Sequence, residues 1–278
     1  MRFTSARQLK DWIKNKSKQT GVPANLLLQT YMMERLLERV SLSSYRDNLI
    51  LKGGFLIAAM IGIDRRTTMD MDTTVKGLPV SREAVMTMLD EIISIDSKDG
   101  VSFNIQNMVN IHNVSEYDDY RVSLCATLHT IRVIMKIDIT TGDTIIPHEI
   151  EYEYSLLFEE RTILVMAYNL YTILAEKIET ILSRNVANSR GRDFYDTYIL
   201  LLMNREKLIS EDLRNAIRIK AEERGSTSAI DNYAKHLKDI AESPEIAKIW
   251  AGYVKNYSYA NGIELADSIA LIKWVFEG

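Results

Sequence analysis

The sequence predicts an α+β protein, with a strand-bearing first part and a helical second part. Three observations predict it. Residues 69–75 (Met-Asp-Met-Asp-Thr-Thr-Val) alternate apolar and polar positions at first, which is the period of a strand. Residues 101–111, 120–129 and 130–140 are rich in Val, Ile, Leu, Thr and Tyr, suit a pleated surface, and read as antiparallel neighbours. From about residue 168 the apolar period becomes helical and stays so. The expectation is an α/β domain with a mixed or antiparallel sheet and flanking helices over residues 1–167. A helical domain is expected over residues 168–278.

Each element has its own signal. Leu9, Trp12 and Ile13 sit at helical spacing among lysines in residues 5–19, Gly21 stops that helix, and Pro23 suits the first turn of the next. Residues 23–41 form a second helix whose stripe is Leu26, Leu27, Tyr31, Met32, Leu36 and Leu37, with Arg35 and Arg39 one turn apart on another face. Leu49 to Leu51 is a short apolar run ending in Lys52-Gly53-Gly54, and Phe55 to Ile61 reads as a buried helix. Residues 81–95 are helical in period, Gly100 marks a turn, and Thr141-Gly142-Asp143 marks another. Residues 148–165 contain some strand. Helices follow at 169–184, 191–203, 210–223, 229–240, 244–256 and 263–276, with Pro244 and Gly262 as punctuation.

Composition narrows the class. The chain has 278 residues, 46% hydrophobic and 26% charged, as expected of a globular protein with a sizeable core. No run of eighteen apolar residues occurs, so no membrane span is expected, and the N-terminus lacks the apolar region of a secretory signal. Cys125 is the single cysteine, which excludes an intramolecular disulfide or a cysteine zinc cluster and suits a reducing cytoplasm. The net charge of −4 argues against a broad nucleic-acid grip, so any such contact must come from a local patch. Arg205, Lys207, Arg214, Arg218, Lys220 and Arg224 are the first candidates for that patch, although Glu206, Glu211, Asp212, Glu222 and Glu223 interleave with them as on a solvated face. Tyr253, Tyr257 and Tyr259 offer either base stacking or helix packing. His112, His129, His148 and His236 are scattered and form no metal-ligand spacing.

The sharpest chemistry is acidic. On a strand Asp70 and Asp72 point to one face. Two adjacent carboxylates repel unless a cation lies between them, and magnesium prefers such hard oxygen ligands together with phosphates. A solvated pair on an edge strand would carry the same short pattern. Asp138 interrupts the β-branched Lys136-Ile137-Asp138-Ile139, where a charge needs a partner. That partner is either a metal shared with Asp70 and Asp72, or solvent on the face that Asp138 shares with Lys136. Upstream, Gly53 and Gly54 let backbone N–H groups approach a phosphate at a helix start, or simply make a tight turn. In the helical part, Lys177, Ile181 and Arg184 share one face, and Asp193 and Asp196 lie one turn apart.

The ordered blocks LKGG, TTMDMD, KIDITTGD, LAEKIETILSR and RDFYD resemble the AbiEii/AbiGii toxin family across roughly residues 25–205. The resemblance implies a nucleotidyltransferase-like core and a C-terminal helical bundle that completes the active site. Where relatives of that fold usually carry Gly-Ser, this chain has Gly53-Gly54, which removes a hydroxyl. The resemblance implies that Asp70 and Asp72 hold a divalent metal such as Mg2+, with Asp138 as the third carboxylate. It gives Gly53, Gly54, Thr68 and Lys177 to the nucleotide, and it makes Asp193, or else Asp196, the last member of the catalytic set. It implies a nucleoside triphosphate as substrate and an acceptor such as tRNA or another RNA. It also implies a cognate antitoxin, such as a winged-helix DNA-binding protein, in a cytoplasmic toxin–antitoxin system of the abortive-infection type. Two other readings share Asp-x-Asp: a nucleotidyltransferase that modifies a small molecule such as an antibiotic, and a catalytically silent nucleotide-binding protein acting through its partner.

Overall fold

The computed structural model describes residues 3–79, 81–111 and 119–278. His112 lies outside the described residues. The chain divides into two compact units: one runs through Asp143 and includes Glu149–Tyr168, and the other comprises Thr144–His148 and Asn169–Gly278.

The first unit is a seven-stranded mixed sheet with helices. In chain order it holds α1 (Ala6–Thr20), α2 (Ala24–Leu42), β1 (Leu49–Lys52), α3 (Gly53–Ile61), β2 (Asp70–Val75) and α4 (Arg82–Ser94). Then come β3 (Ser102–Asn110), β4 (Tyr120–Leu128), β5 (Ile131–Thr141), β6 (Ile150–Ser155) and β7 (Thr162–Ala167). The strand order is β3-β4-β5-β2-β1-β7-β6. β3, β4 and β5 are antiparallel neighbours, as their composition predicts, while β2 pairs β5 in parallel and β1 pairs β7 in parallel.

Local chemistry explains these boundaries. Ser5 caps α1 by accepting from the Gln8 N–H, and Gly21 ends it in the left-handed region at φ 73°. α2 is buried over most of its length and packs on β5 and β7. One face of the sheet is therefore apolar: Leu51, Met71, Val122, Leu124, Met135, Ile137 and Ile139 are all buried there. α2 also buries charge. Arg35 pairs with Glu159 at 2.6 Å, and Arg39 grips both oxygens of Asp99 at 2.7 and 3.0 Å.

The second unit is helical: α5 (Leu170–Arg184), α6 (Gly191–Asn204), α7 (Ser210–Glu223), α8 (Thr227–Asp231), α9 (Tyr233–Glu242), α10 (Pro244–Asn256) and α11 (Leu265–Glu277). The single helix expected at 229–240 is two, because the chain turns at Asn232 between α8 and α9. α5 packs on α6 and α7, and α11 packs on α6 and α9. Asn169 caps α5 by accepting from the Thr172 N–H at 2.9 Å, and Ser243 caps α10 ahead of Pro244.

Candidate active site

Strand register builds the site in the first unit. Asp72 pairs with Lys52 on one side and with Asp138 on the other, and Asp138 pairs with Arg121. Residues in register on adjacent strands, about 4.8 Å apart, point to the same face. One row across four strands thus reads Lys52, Asp72, Asp138, Arg121. The next row reads Asp70, Lys136, Ser123. The face opposite the apolar one therefore gathers all three carboxylates expected from the sequence. Asp138 shares this face with Lys136, and the same geometry sets it beside Asp72.

The cations at the two ends of the first row are both engaged, Arg121 within the row and Lys52 outside it. Arg121 donates through Nε and Nη2 to the two Asp138 oxygens at 2.7 and 2.6 Å. The Lys52 ammonium donates to Asp143 Oδ2 at 2.6 Å and to the Thr140 hydroxyl at 2.7 Å. Lys52 and these hydrogen bonds hold the Asp143 carboxyl well below the usual carboxylate range despite its burial. Asp72 shifts the other way. Burial pushes its carboxyl up, and the negative charges of Asp138 and Asp70 push it further, against the pull of Lys52 and the Gly54 N–H. Among the described residues no group of three or more His, Cys, Asp or Glu converges as metal ligands would. Asp138 is held by Arg121 instead.

The glycine turn is fitted to Asp72. Gly53 has φ +67°, and a Cβ there would lie 2.0 Å from Asp72 Oδ2, so no other residue fits without moving the carboxylate. Gly54 donates its N–H to the same oxygen at 3.4 Å. A Cβ at Gly54 would meet the Arg66 guanidinium and the Thr68 hydroxyl, each at 3.1 Å. The Thr68 hydroxyl donates to the Asp70 carbonyl at 3.3 Å. Gly53, Gly54, Thr68, Asp70, Asp72 and Asp138 therefore share one neighbourhood around the start of α3.

Lys177, Asp193 and Asp196 form a separate cluster in the helical unit. The Lys177 ammonium lies 2.8 Å from Asp193 Oδ1 and 3.0 Å from Asp196 Oδ2. Both aspartates are buried, and the lysine is held by both. Arg192 on the same turn is exposed and points elsewhere.

Two residues of this chemistry escape a reading of the blocks. Arg121 stands in no recognisable motif, yet a signal for it exists. A two-residue turn at His129-Thr130 sets Leu128 opposite Ile131, and counting back along both strands sets Arg121 opposite Asp138. Arg66, beside the glycine turn, has no such signal, because the loop before β2 carries no period.

Other expectations change. Four of the six cations in the basic stretch at 205–224 are engaged within the helical unit, while Lys207 and Arg218 are exposed. Lys220 is fully buried against Glu223 at 3.0 Å and Glu176 at 3.4 Å. Arg224 pairs with Glu179 at 2.6 Å, Arg214 donates to the Val275 carbonyl, and Arg205 stacks on Trp274. These side chains hold helices together. Tyr253, Tyr257 and Tyr259 pack on one another and on Tyr195 and Trp250. His236 bonds the Leu182 carbonyl, and His129 bonds the Phe3 carbonyl. No helix among the described residues is long and apolar enough to cross a membrane.

Comparison with known proteins bears on the fold and the family. A putative nucleotidyltransferase from H. pylori has the same fold at a TM-score of 0.57 and 12% identity, covering 92% of this chain and 96% of that one. JHP933 from Helicobacter pylori gives a TM-score of 0.56 and 11% identity, covering 92% of this chain and 94% of that one. No curated protein sequence matches significantly. The family model of the nucleotidyl transferase AbiEii toxin, type IV toxin–antitoxin system, matches residues 35–268. The chain belongs to the AbiEii family of nucleotidyl transferase toxins.

Proposed function

We propose that this protein transfers a nucleotidyl group from a nucleoside triphosphate to a hydroxyl of an RNA acceptor such as tRNA. The observation that carries the reading is the carboxylate row: Asp72 lies between Asp138 and Lys52, against a glycine turn with no room for a side chain. The residues fit a divalent cation. Burial pushes the Asp72 carboxyl up, the charges of Asp138 and Asp70 add to it, and a cation between Asp70 and Asp72 would relieve the like-charge part. Held there, a divalent cation such as magnesium supplies Lewis-acid neutralisation of the triphosphate charge.

The chain's own groups carry the rest. The N–H groups at the start of α3 face the triphosphate, where a helix N-terminus favours negative charge. Thr68 flanks that turn, and Arg66 beside Gly54 adds a cation to it. In this reading Lys177 binds the nucleotide, and Asp193 with Asp196 fixes the ammonium. The acceptor oxygen forms a bond to the α-phosphorus, the bond to the pyrophosphate oxygen breaks, and pyrophosphate leaves. Asp138 is the carboxylate left to take the hydroxyl proton, and Arg121 then shifts away from it. The partner that restrains this activity is an antitoxin of the winged-helix DNA-binding kind, in a cytoplasmic abortive-infection system.

The test incubates the protein with each labelled triphosphate, magnesium and total RNA. Label is expected in RNA, and Asp70→Ala is expected to lower it at least 100-fold while the melting curve keeps its cooperativity. Full activity in Asp70→Ala and Asp72→Asn overturns the site. Transfer only to a small molecule makes the protein an antibiotic-type enzyme, and nucleotide binding without transfer makes it a silent binding protein.

A further inference from the structure

The strands carry four basic side chains among the described residues, Lys52, Arg121, Arg132 and Lys136, and register sets all four on the carboxylate face. They divide into two kinds. Lys52 and Arg121 are engaged with Asp143 and Asp138. Arg132 and Lys136 are exposed and make no ion pair among the described residues. Elsewhere in this unit Arg35, Arg39, Arg46, Lys76 and Arg161 are paired, while the exposed Lys10, Lys14, Lys18 and Lys98, which make no ion pair among the described residues, lie on α1 or in the loop after α4 and not on the sheet.

The surroundings of the two cations favour a polyanion. Arg132, Ile134, Lys136 and Asp138 alternate along the outward side of β5, so the cations lead to the carboxylates. Arg132 and Lys136 are four residues apart, about 13 Å along the strand, which is too far for one phosphate group to bridge. Ile134, between them, is 56% exposed and offers an apolar contact. Next to β5, strands β4 and β3 carry no acidic residue, and Ser123, Thr127, Asn104 and Asn107 add neutral donors on this face. The other end of the sheet is the opposite. Glu151 and Glu153 on β6 are exposed on the carboxylate face and repel a polyanion.

We infer that the outward face of β5, with its β4 border, is the acceptor track. A single-stranded RNA end lies along it, with phosphodiesters about two nucleotide steps apart on Arg132 and Lys136, a base or ribose against Ile134, and the terminal hydroxyl at the carboxylates. This inference rests on the RNA-acceptor reading above and adds where the acceptor binds and from which end of the sheet it enters.

The experiment measures binding of a fluorescent single-stranded RNA oligonucleotide with a free 3′ hydroxyl, by anisotropy, across graded salt. The double variant Arg132→Gln/Lys136→Gln is expected to bind roughly tenfold more weakly near 0.1 M salt, and the log–log salt slope is expected to fall in magnitude by about 1.4. Lys10→Gln/Lys14→Gln on α1 removes the same charge from an exposed site elsewhere and is expected to bind as the parent does. An unchanged slope in the β5 variant, or an equal loss in both variants, overturns the track. Equal affinity for a blunt RNA duplex overturns the single-stranded end as its occupant. Failure of the parent protein to label RNA with any triphosphate overturns the underlying reading, and the track with it; labelling that persists undiminished in the β5 variant overturns the track alone.

Discussion

The carboxylate face of the sheet and the Lys177 cluster of the helical unit both hold charges, but on different terms. On the sheet the partners stand side by side in rows, and Arg121 is 41% exposed while it grips Asp138. In the helices one lysine sits between two aspartates that are 3% and 0% exposed in their side chains. A half-exposed pair exchanges its partner for water or a ligand at small cost, whereas a buried charge stripped of its partner has nothing to replace it. The sheet face is therefore suited to regrouping when substrate arrives, and the helical cluster is suited to holding one geometry throughout.

That contrast predicts where substitutions hurt. The largest effect is expected in the helices. Asp196→Ala should cost about 3–5 kcal/mol, because it leaves a buried charge cluster incomplete, and denaturant titration would read it. A loss below about 1 kcal/mol would show that the cluster is as pliable as the sheet row.

Next comes a buried carboxyl on the apolar side of the sheet. Burial pushes Glu34 up from 4.5 to about 8, against donation from the Leu157 N–H. Its folded value lies above its unfolded one, so the folded state binds the extra proton between those values. Stability should fall as pH rises from 4.5 through 8. Glu34→Gln should flatten that decline and raise the melting temperature at pH 8, by a free energy on the order of a few kcal/mol. A parent and variant with parallel pH profiles would place this group's titration elsewhere.

Gly53→Ala sharpens the sheet side. Positive φ and the 2.0 Å approach to Asp72 together predict a loss of about 1–3 kcal/mol, with transfer activity falling as well since the carboxylate must move. The smallest effect on stability belongs to Arg121→Gln, expected within about 1 kcal/mol for a pair this exposed. The same variant should tighten manganese binding, read by calorimetry, because Asp138 loses its competing cation. Unchanged manganese affinity would mean that Asp138 holds no metal and is left with the role of base.

How much of this is legible without coordinates follows from the physics of each element. Strands β2 to β5 are readable because a pleat enforces a period of two, and a charge such as Asp138 stands out inside a β-branched run. The break between α8 and α9 is not readable, since both helices continue one apolar stripe and Asn232 carries no strong stop signal. The basic stretch misleads for a related reason. Lys220 lies on the buried side of α7, and its partners Glu176 and Glu223 come from a distant helix and a neighbouring turn. Residue type alone does not tell a solvated lysine from one neutralised inside a bundle. The carboxylates of the candidate site are visible as a motif, while their cations are visible only through pairing between strands. Lys136 stands in the same block as Asp138, and only its register with Asp70 shows which residues it borders.

The turn at His129-Thr130 has a consequence for how this chain can vary. His129 takes φ 54°, and two residues are all that separate β4 from β5. Many surface loops accept added or lost residues with little harm. Here one inserted residue, if the strands slid to absorb it, would turn Arg121 toward the apolar side and bring Val122 out beside Asp138. The hairpin's length is therefore under a constraint that its own residues do not explain, and it originates some seven residues away at the carboxylates. Length variation among active relatives should avoid this turn, whatever side chains occupy it.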